Sequence, residues 1–502
     1  MTSAETVLIE QQSFSTLQKA IDSKSHKFIV VSVSEEARTS LAVRFNLDSS
    51  RVHWQLRDYF HQLAGDDVPV MVVDASIATD VALVETRVEF LERFRGETKK
   101  IRWRRPAASV AVSSTRERVM RKGEVTTFDD VVDGAKTVAE GAAIAAASLP
   151  SATRTQTIKF QTCLPMLVSS CPGWVCYAEK RHPEAIPYMS TVKSPQQILG
   201  SFVKLRLPKI ANITARPSEV LHVSVMACFD KKLEASRLDF FHNETEFEED
   251  GWGKNGNVHE VDLVLTASEL IHVFSKSLSP SPSPSSKFKD LEQKLSNFSS
   301  DGKTRFCGSH ASHGGSGGFA DDLLRYVARE VLKEDVKLKY TCPRRSDENF
   351  QEITIESETS KRKVKFALVY VLFFSLITNF TQTHTHHRYG FRHIQKIVRQ
   401  LRTGRCKYDF VEIMACPGGC LNGGGQARPD DFKSVDAKSL LKKMETEFQA
   451  SHPMSLYRDP EKSAFVAEIK RWCRDDTSRK HHLHTRFHAV PEMPKNVLAI
   501  QW

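Results

Sequence analysis

Four cysteines in three short motifs constrain this chain more than any other feature of it. Cys171 opens CPGWVC (Cys171–Cys176), and Cys228 sits in MACFDKKLEA (Met226–Ala235). Cys416 and Cys420 frame CPGGC, which runs directly into LNGGGQ (Leu421–Gln426). Cys171 follows a stretch ending Val168-Ser169-Ser170, and the other two motifs follow the strand candidates Leu221–Met226 and Phe410–Met414. In an open parallel sheet, ligands gather beyond the carboxyl ends of the strands, so distant positions can meet in one crevice. Cys416 and Cys420 are four apart, which puts both sulfurs on one side where a helical turn begins between them. Gly418, Gly419 and the run Gly423–Gly425 remove β-carbons where backbone must come close to something bulky. Their amides are candidate donors to sulfur, and Lys231 is a candidate counter-charge for thiolates.

Ten cysteines in 502 residues are too sparse for a disulfide framework. Met1–Thr6 has neither the basic region nor the apolar core of a secretory signal. A reducing compartment is therefore expected, where a cysteine set points to metal binding or chemistry. Four cysteines serve zinc as well as iron–sulfur clusters, and the residue types alone leave both open. Cys176 and Cys473 read as ordinary buried thiols.

The rest of the chain reads as α/β. His26–Ser34 is a buried strand followed by a helix over Glu35–Phe45, and Val68–Val73 is followed by a helix over Val81–Phe94. In that second helix Val81, Val84, Val88, Leu91 and Phe94 line one face. Val261–Leu265 is a further strand, and Ala437–Phe448 an amphipathic helix. SLSPSPSPSS (Ser277–Ser286) cannot form a core and reads as a linker. The formal charge of +10, from 71 basic and 61 acidic residues, is too diffuse to specify RNA or membrane. The sharpest basic cluster is Lys99–Arg105, read as a solvated stretch. FALVYVLFFSLITNF (Phe366–Phe380) falls short of the roughly 20 residues a membrane-spanning helix needs. No substantial nucleic-acid or membrane binding is expected.

SSCPGW (Ser169–Trp174), MACFDKKLEA and EIMACPGGCLNGGGQ (Glu412–Gln426) resemble the three signature motifs of the iron-only hydrogenases. YAEK (Tyr177–Lys180), STVKSPQQILG (Ser190–Gly200) and YGFRHIQKIVR (Tyr389–Arg399) resemble one branch in particular. That branch is the Nar1-like, or nuclear prelamin A recognition factor-like, proteins of cytosolic iron–sulfur protein assembly. The resemblance implies an iron-only hydrogenase-like α/β fold, with two α/β lobes enclosing a cluster-binding crevice. It implies Cys171, Cys228, Cys416 and Cys420 as ligands of one [4Fe–4S] cluster. Cys420 matches the cysteine that in the hydrogenases bridges to a binuclear iron subsite, and Lys231 and Met414 match residues lining that subsite. Ser170 stands where active hydrogenases carry a proton-shuttling cysteine. A serine hydroxyl titrates far above a thiol near 8.5. A non-catalytic assembly and delivery factor for cytosolic and nuclear apoproteins is thus expected, in the cytoplasm with the nucleus as a second location. The alternatives are a hydrogenase-type oxidoreductase and a prelamin-binding interaction protein.

Two departures from the family pattern shape the remaining expectations. The family's second, N-terminal cluster site, an early cysteine plus CxxCxxC, has no counterpart; Thr2–Thr6 resembles the stretch that follows it. One cluster is therefore expected, the second being lost by truncation. Residues 369–388 separate KFAL (Lys365–Leu368) from YGFR (Tyr389–Arg392) and read as a translated intron, whose histidines His384, His386 and His387 are not expected to bind metal. The terminal Trp502 resembles the family's terminal tryptophan and implies docking to cytosolic iron–sulfur assembly and targeting proteins. The expected divisions are as follows: 1–95, the first part of the α/β region; 96–160, a poorly defined basic and Ala-rich segment; 161–276, a first cluster-ligand lobe. After these come 277–318, a linker; 319–480, a second lobe carrying the insertion; and 481–502, a tail.

Overall fold

Residues that alternate between two apolar surfaces, as Phe28–Val33 and Val220–Met226 do, make strands buried on both faces. In the computed structural model the described residues are 3–99, 164–243, 257–274, 317–332, 350–356, 363–369, 392–416, 418–451 and 459–490. Ten strands are described: β1 Phe28–Val33, β2 Val70–Asp74, β3 Met166–Val168, β4 Val220–Met226, β5 Phe241–Asn243, β6 Asn257–His259, β7 Leu263–Thr266, β8 Phe350–Glu356, β9 Lys363–Val369 and β10 Phe410–Ile413. They form two four-stranded sheets, ordered β2-β1-β4-β7 and β3-β10-β9-β8, and an antiparallel pair β5-β6. The first sheet is wholly parallel, and in the second only the edge strand β8 runs antiparallel.

Register makes the carboxyl ends flush. Val33 lies opposite Asp74 on one side and Val225 on the other, and Met226 opposite Thr266. In the second sheet Glu412 pairs with both Val168 and Leu368.

One face of the first sheet, with Ile29, Val31, Val72 and Val223, packs on Leu41, Leu56, Phe60 and Phe274. Its other face, with Phe28, Val30 and Val73, joins a larger core that includes Leu167, Phe410 and Val411 of the second sheet. Between the sheets lie the helices Ser76–Lys99 and Pro195–Leu205, which pack on each other.

The helix Ser76–Lys99 differs from the one-faced helix expected over Val81–Phe94. Val81 and Val84 are buried, but Val88, Leu91 and Phe94 are only half-buried, while Glu85, Arg87, Glu89 and Arg93 are buried. The charges are tolerated because each is paired. Arg87 clasps Asp322 at 2.6 and 2.7 Å and reaches Asp459 at 2.9 Å. Arg93 bonds Glu89 at 2.6 Å and the carbonyls of Tyr188 and Met189. Periodicity cannot reveal a helix whose polar residues face polar partners inside the core.

The expected strands and helices over His26–Ser34, Glu35–Phe45, Leu221–Met226, Phe410–Met414 and Ala437–Phe448 form at those places with small shifts of boundary. β9 takes in Phe366–Val369 of the long apolar run; residues 370–380 lie outside the described residues. So do the basic cluster at 100–105, the linker 277–286, the three insert histidines and Trp502. Among the described residues, no helix is long and apolar enough to cross a membrane.

Candidate metal centre

The loops leaving β3, β4 and β10 carry Cys171, Cys228, Cys416 and Cys420 to the wall of one cavity with an empty volume of about 850 Å³. Residues leaving β1 (Ser34, Glu35, Glu36) and β2 (Ala75, Ser76, Thr79) complete the wall. The flush strand ends of both sheets therefore open on the same space.

Local chemistry fixes each loop. Ser169 Oγ donates to the Ile413 carbonyl at 2.5 Å and accepts from the Cys171 amide at 3.1 Å, tying the first cysteine to the end of β10. Gly418, at φ +71°, starts the turn Gly419–Asn422, so that Cys416 and Cys420 both reach the cavity. Gly425 N donates to the Ala227 carbonyl at 2.9 Å and joins that turn to the Cys228 loop. A β-carbon on Gly423 would strike the same carbonyl, and one on Gly425 would stand 2.7 Å from Thr266 Cγ2. Gln426 Nε2 spans the carbonyls of Glu36, at 2.9 Å, and Cys420, at 3.2 Å.

The glycines thus act by close approach to neighbouring loops. Their amides do not serve the sulfurs: Gly419, Gly423 and Gly425 donate to the carbonyls of Cys416, Cys420 and Ala227. The Asp230 amide donates to Cys228 Sγ at 3.4 Å instead, and the amides of Ala415 and Trp174 bond the Cys171 sulfur.

Burial pushes the Cys171 thiol up to about 11. Cys228 is raised further, first by its hydrogen bond with Cys416 and then by burial. Cys420 is raised well above its ordinary value by burial, then by Glu36, Cys171 and Cys228. Mutual influence among these thiols is itself a sign that the loops meet. Such groups stay protonated until a metal displaces the protons.

The donor set fits an iron–sulfur cluster. Four thiols line one cavity, with amide donors on two of them and the amino ends of four helices on its wall. These helices are Glu35–Phe45, Ser76–Lys99, Pro172–Arg181 and Pro195–Leu205. Helix amino ends favour negative charge, as on a thiolate-ligated cluster. Among the described residues, no group of three or more His, Cys, Asp or Glu closes on a single-ion position.

Lys231 lines the cavity but is not the free counter-charge expected of it. Its ammonium bonds Glu234 at 2.6 Å, and Glu234 also accepts from Ser194. Sequence reading passed over Glu234, although its place three residues after Lys231 is the spacing at which helical side chains pair. It also passed over Gln196, which lines the cavity with its Oε1 buried and without a hydrogen-bond partner. Met414 is buried in the wall, and Ser170 lines both this cavity and a second one. Cys176 belongs to the second cavity. Cys473 ends the helix Ala464–Trp472 and lines neither.

The iron only hydrogenase large subunit, C-terminal domain, matches residues 106–424. Cytosolic iron-sulfur assembly component 3 of Rattus norvegicus is 33% identical, over 100% of this chain and 84% of that protein. The cytosolic Fe-S cluster assembly factor narfl of Danio rerio is 33% identical over 100% and 97%. Protein NAR1 of Arabidopsis thaliana is 32% identical over 98% and 84%. Among solved structures, a variant of the [FeFe]-hydrogenase HydA1 from Chlamydomonas reinhardtii superposes with a TM-score of 0.62. It shares 20% identity and is covered over 99% of its length by 95% of this chain. With two parallel-stranded lobes opening on one thiol-lined cavity, and with relatives similar along its whole length, this chain belongs to the iron-only hydrogenase large-subunit family, on the branch of the cytosolic iron–sulfur assembly proteins.

Proposed function

We propose that this chain holds one [4Fe–4S] cluster on Cys171, Cys228, Cys416 and Cys420. It works as a non-catalytic factor in assembling such clusters and delivering them to cytosolic and nuclear apoproteins. The observation that carries the reading is the convergence of four thiols, from three loops far apart in the chain, on one cavity. A lone zinc ion would hold four sulfurs within roughly 2.3 Å of one point, whereas a cube of iron and sulfide spreads its ligands around a bulkier body. The wide cavity supports the second.

The bound cluster would supply an electron-accepting, exchangeable inorganic core. The chain's own residues anchor it, supply amide donors to Cys171 and Cys228, and shelter it between the lobes. Ser170 stands against hydrogen turnover, because a hydroxyl does not relay protons at the pH where a thiol does. The names of the relatives support cytosolic assembly as the setting. Trp502 is the proposed contact with the assembly and targeting partners.

Anaerobic purification with iron, sulfide and electron paramagnetic resonance analysis tests the reading. Cys416→Ala is expected to abolish the cluster spectrum and Cys473→Ala to leave it intact. Full iron and visible absorbance in the Cys416 variant would overturn the assignment.

A further inference from the structure

Ser170, Cys171 and Pro172 wall a second cavity on the side away from Cys228 and Cys416. Its empty volume is about 430 Å³. Val175, Val192, Phe240 and Phe487 give it apolar sides, and Cys176 adds a second thiol beside Cys171. A strap of chain after the helix Asp476–Leu483 supplies two lining residues, Thr485 and Phe487. Hydrogen bonds from Thr485 N to the Thr191 carbonyl (2.8 Å), from His488 N to Glu179 Oε1 (2.9 Å) and from Val490 N to the Glu179 carbonyl (3.0 Å) hold the strap.

Two polar groups of this lining have no hydrogen-bond partner. Thr485 Oγ1 is buried and unpartnered in a residue only 6% exposed. Arg237 spends its terminal nitrogens on Glu179, at 2.7 and 2.8 Å, and on Asp239, at 3.0 Å, yet its Nε–H is buried and unpartnered. Buried polar atoms are nearly always satisfied, so a pair left open in one cavity marks the place of an acceptor that binds there. One hydroxyl and one guanidinium N–H suit the two oxygens of a carboxylate. The inner end, with Cys171, Cys176 and Val175, suits a soft, weakly hydrated sulfur.

We propose that the second cavity binds a small thiol bearing a carboxylate, with its carboxylate on Arg237 Nε and Thr485 Oγ1 and its sulfur beside Cys171. Its relevance to the cluster rests on the reading of Cys171 as a ligand; the binding itself does not. A thiol held there stands next to the one proposed ligand that faces both cavities.

The cluster-free full chain provides the test. Binding of 3-mercaptopropionate, butyrate and 2-mercaptoethanol is measured by calorimetry, alongside the rate at which iodoacetamide alkylates Cys176, read by mass spectrometry. Mercaptopropionate is expected to bind at least tenfold more tightly than either partial analogue and to slow Cys176 alkylation. Thr485→Val keeps the shape and removes only an unsatisfied hydroxyl, so it should fold as stably as the parent chain. It is expected to weaken binding by roughly tenfold, the usual worth of a hydrogen bond to a charged group. Arg237→Lys should weaken it as well. Equal binding of butyrate would overturn the thiol, and no binding by any probe would leave the cavity to water and overturn the site. Failure of the ligand reading would show separately, as full iron content in Cys171→Ala.

Discussion

Gly423 and Gly424 are neighbours with opposite demands. A methyl at Gly423 drives into the Ala227 carbonyl and lies 3.0 Å from that of Cys420, whereas one at Gly424 meets nothing nearer than Phe229 Cδ2 at 3.9 Å. Gly423→Ala must therefore push the Cys420 turn away from the Cys228 loop, at a cost of about 1–3 kcal/mol. We expect it to fold with a lowered melting temperature and to retain little iron. Gly424→Ala should match the parent in both, and equal iron in the two variants would refute the close-approach argument. The four cysteines were legible at this scale because each stands in a motif of its own. The roles of the glycines were not, since only the fold reveals whether an amide faces a sulfur or a carbonyl.

The motif STVKSPQQILG finds its reason in the element it begins. Glu260, fully buried, accepts from Lys193, from Ser201 Oγ at 2.6 Å and from His242 at 2.9 Å. Its carbonyl meets His222 Nδ1 at 2.9 Å and would lie 2.7 Å from a β-carbon on Gly200. Lys193, Ser201 and Gly200 thus press the helix Pro195–Leu205 onto the edge of the first sheet. Burial alone would raise the Glu260 carboxyl, but Lys193 and His242 hold it at about 2. With the folded value below the unfolded one of about 4.3, this contribution is complete above that pH and is lost as pH falls toward 2. Lys193→Met leaves a buried carboxylate without its main partner, and a loss of about 3–5 kcal/mol is expected in urea unfolding at pH 7. The deficit should shrink in acid; a deficit unchanged with pH would contradict the pairing. Sequence placed the strands well because apolar runs of four to seven residues are conspicuous. It under-read the buried charges on Ser76–Lys99, since a paired charge in the core looks the same in one dimension as a solvated one.

At the scale of the whole molecule, the two sheets were legible only in part. The strand-then-helix units disclosed the first, whereas β8 and the pairing of β9 with β10 depend on contacts that sequence reading did not find. One cubane on one cavity sets an expected stoichiometry of four iron and four sulfide per chain after anaerobic reconstitution. A value near eight would require a second site and refute the expectation of one.

The first sheet delivers a single one of the four sulfurs, Cys228 after β4; the second delivers the other three, after β3 and β10. Cargo seated among them would be gripped by three fingers of one hand and a thumb of the other. Parting the lobes would lift only the thumb, baring one corner for a recipient while the remainder stayed in the palm.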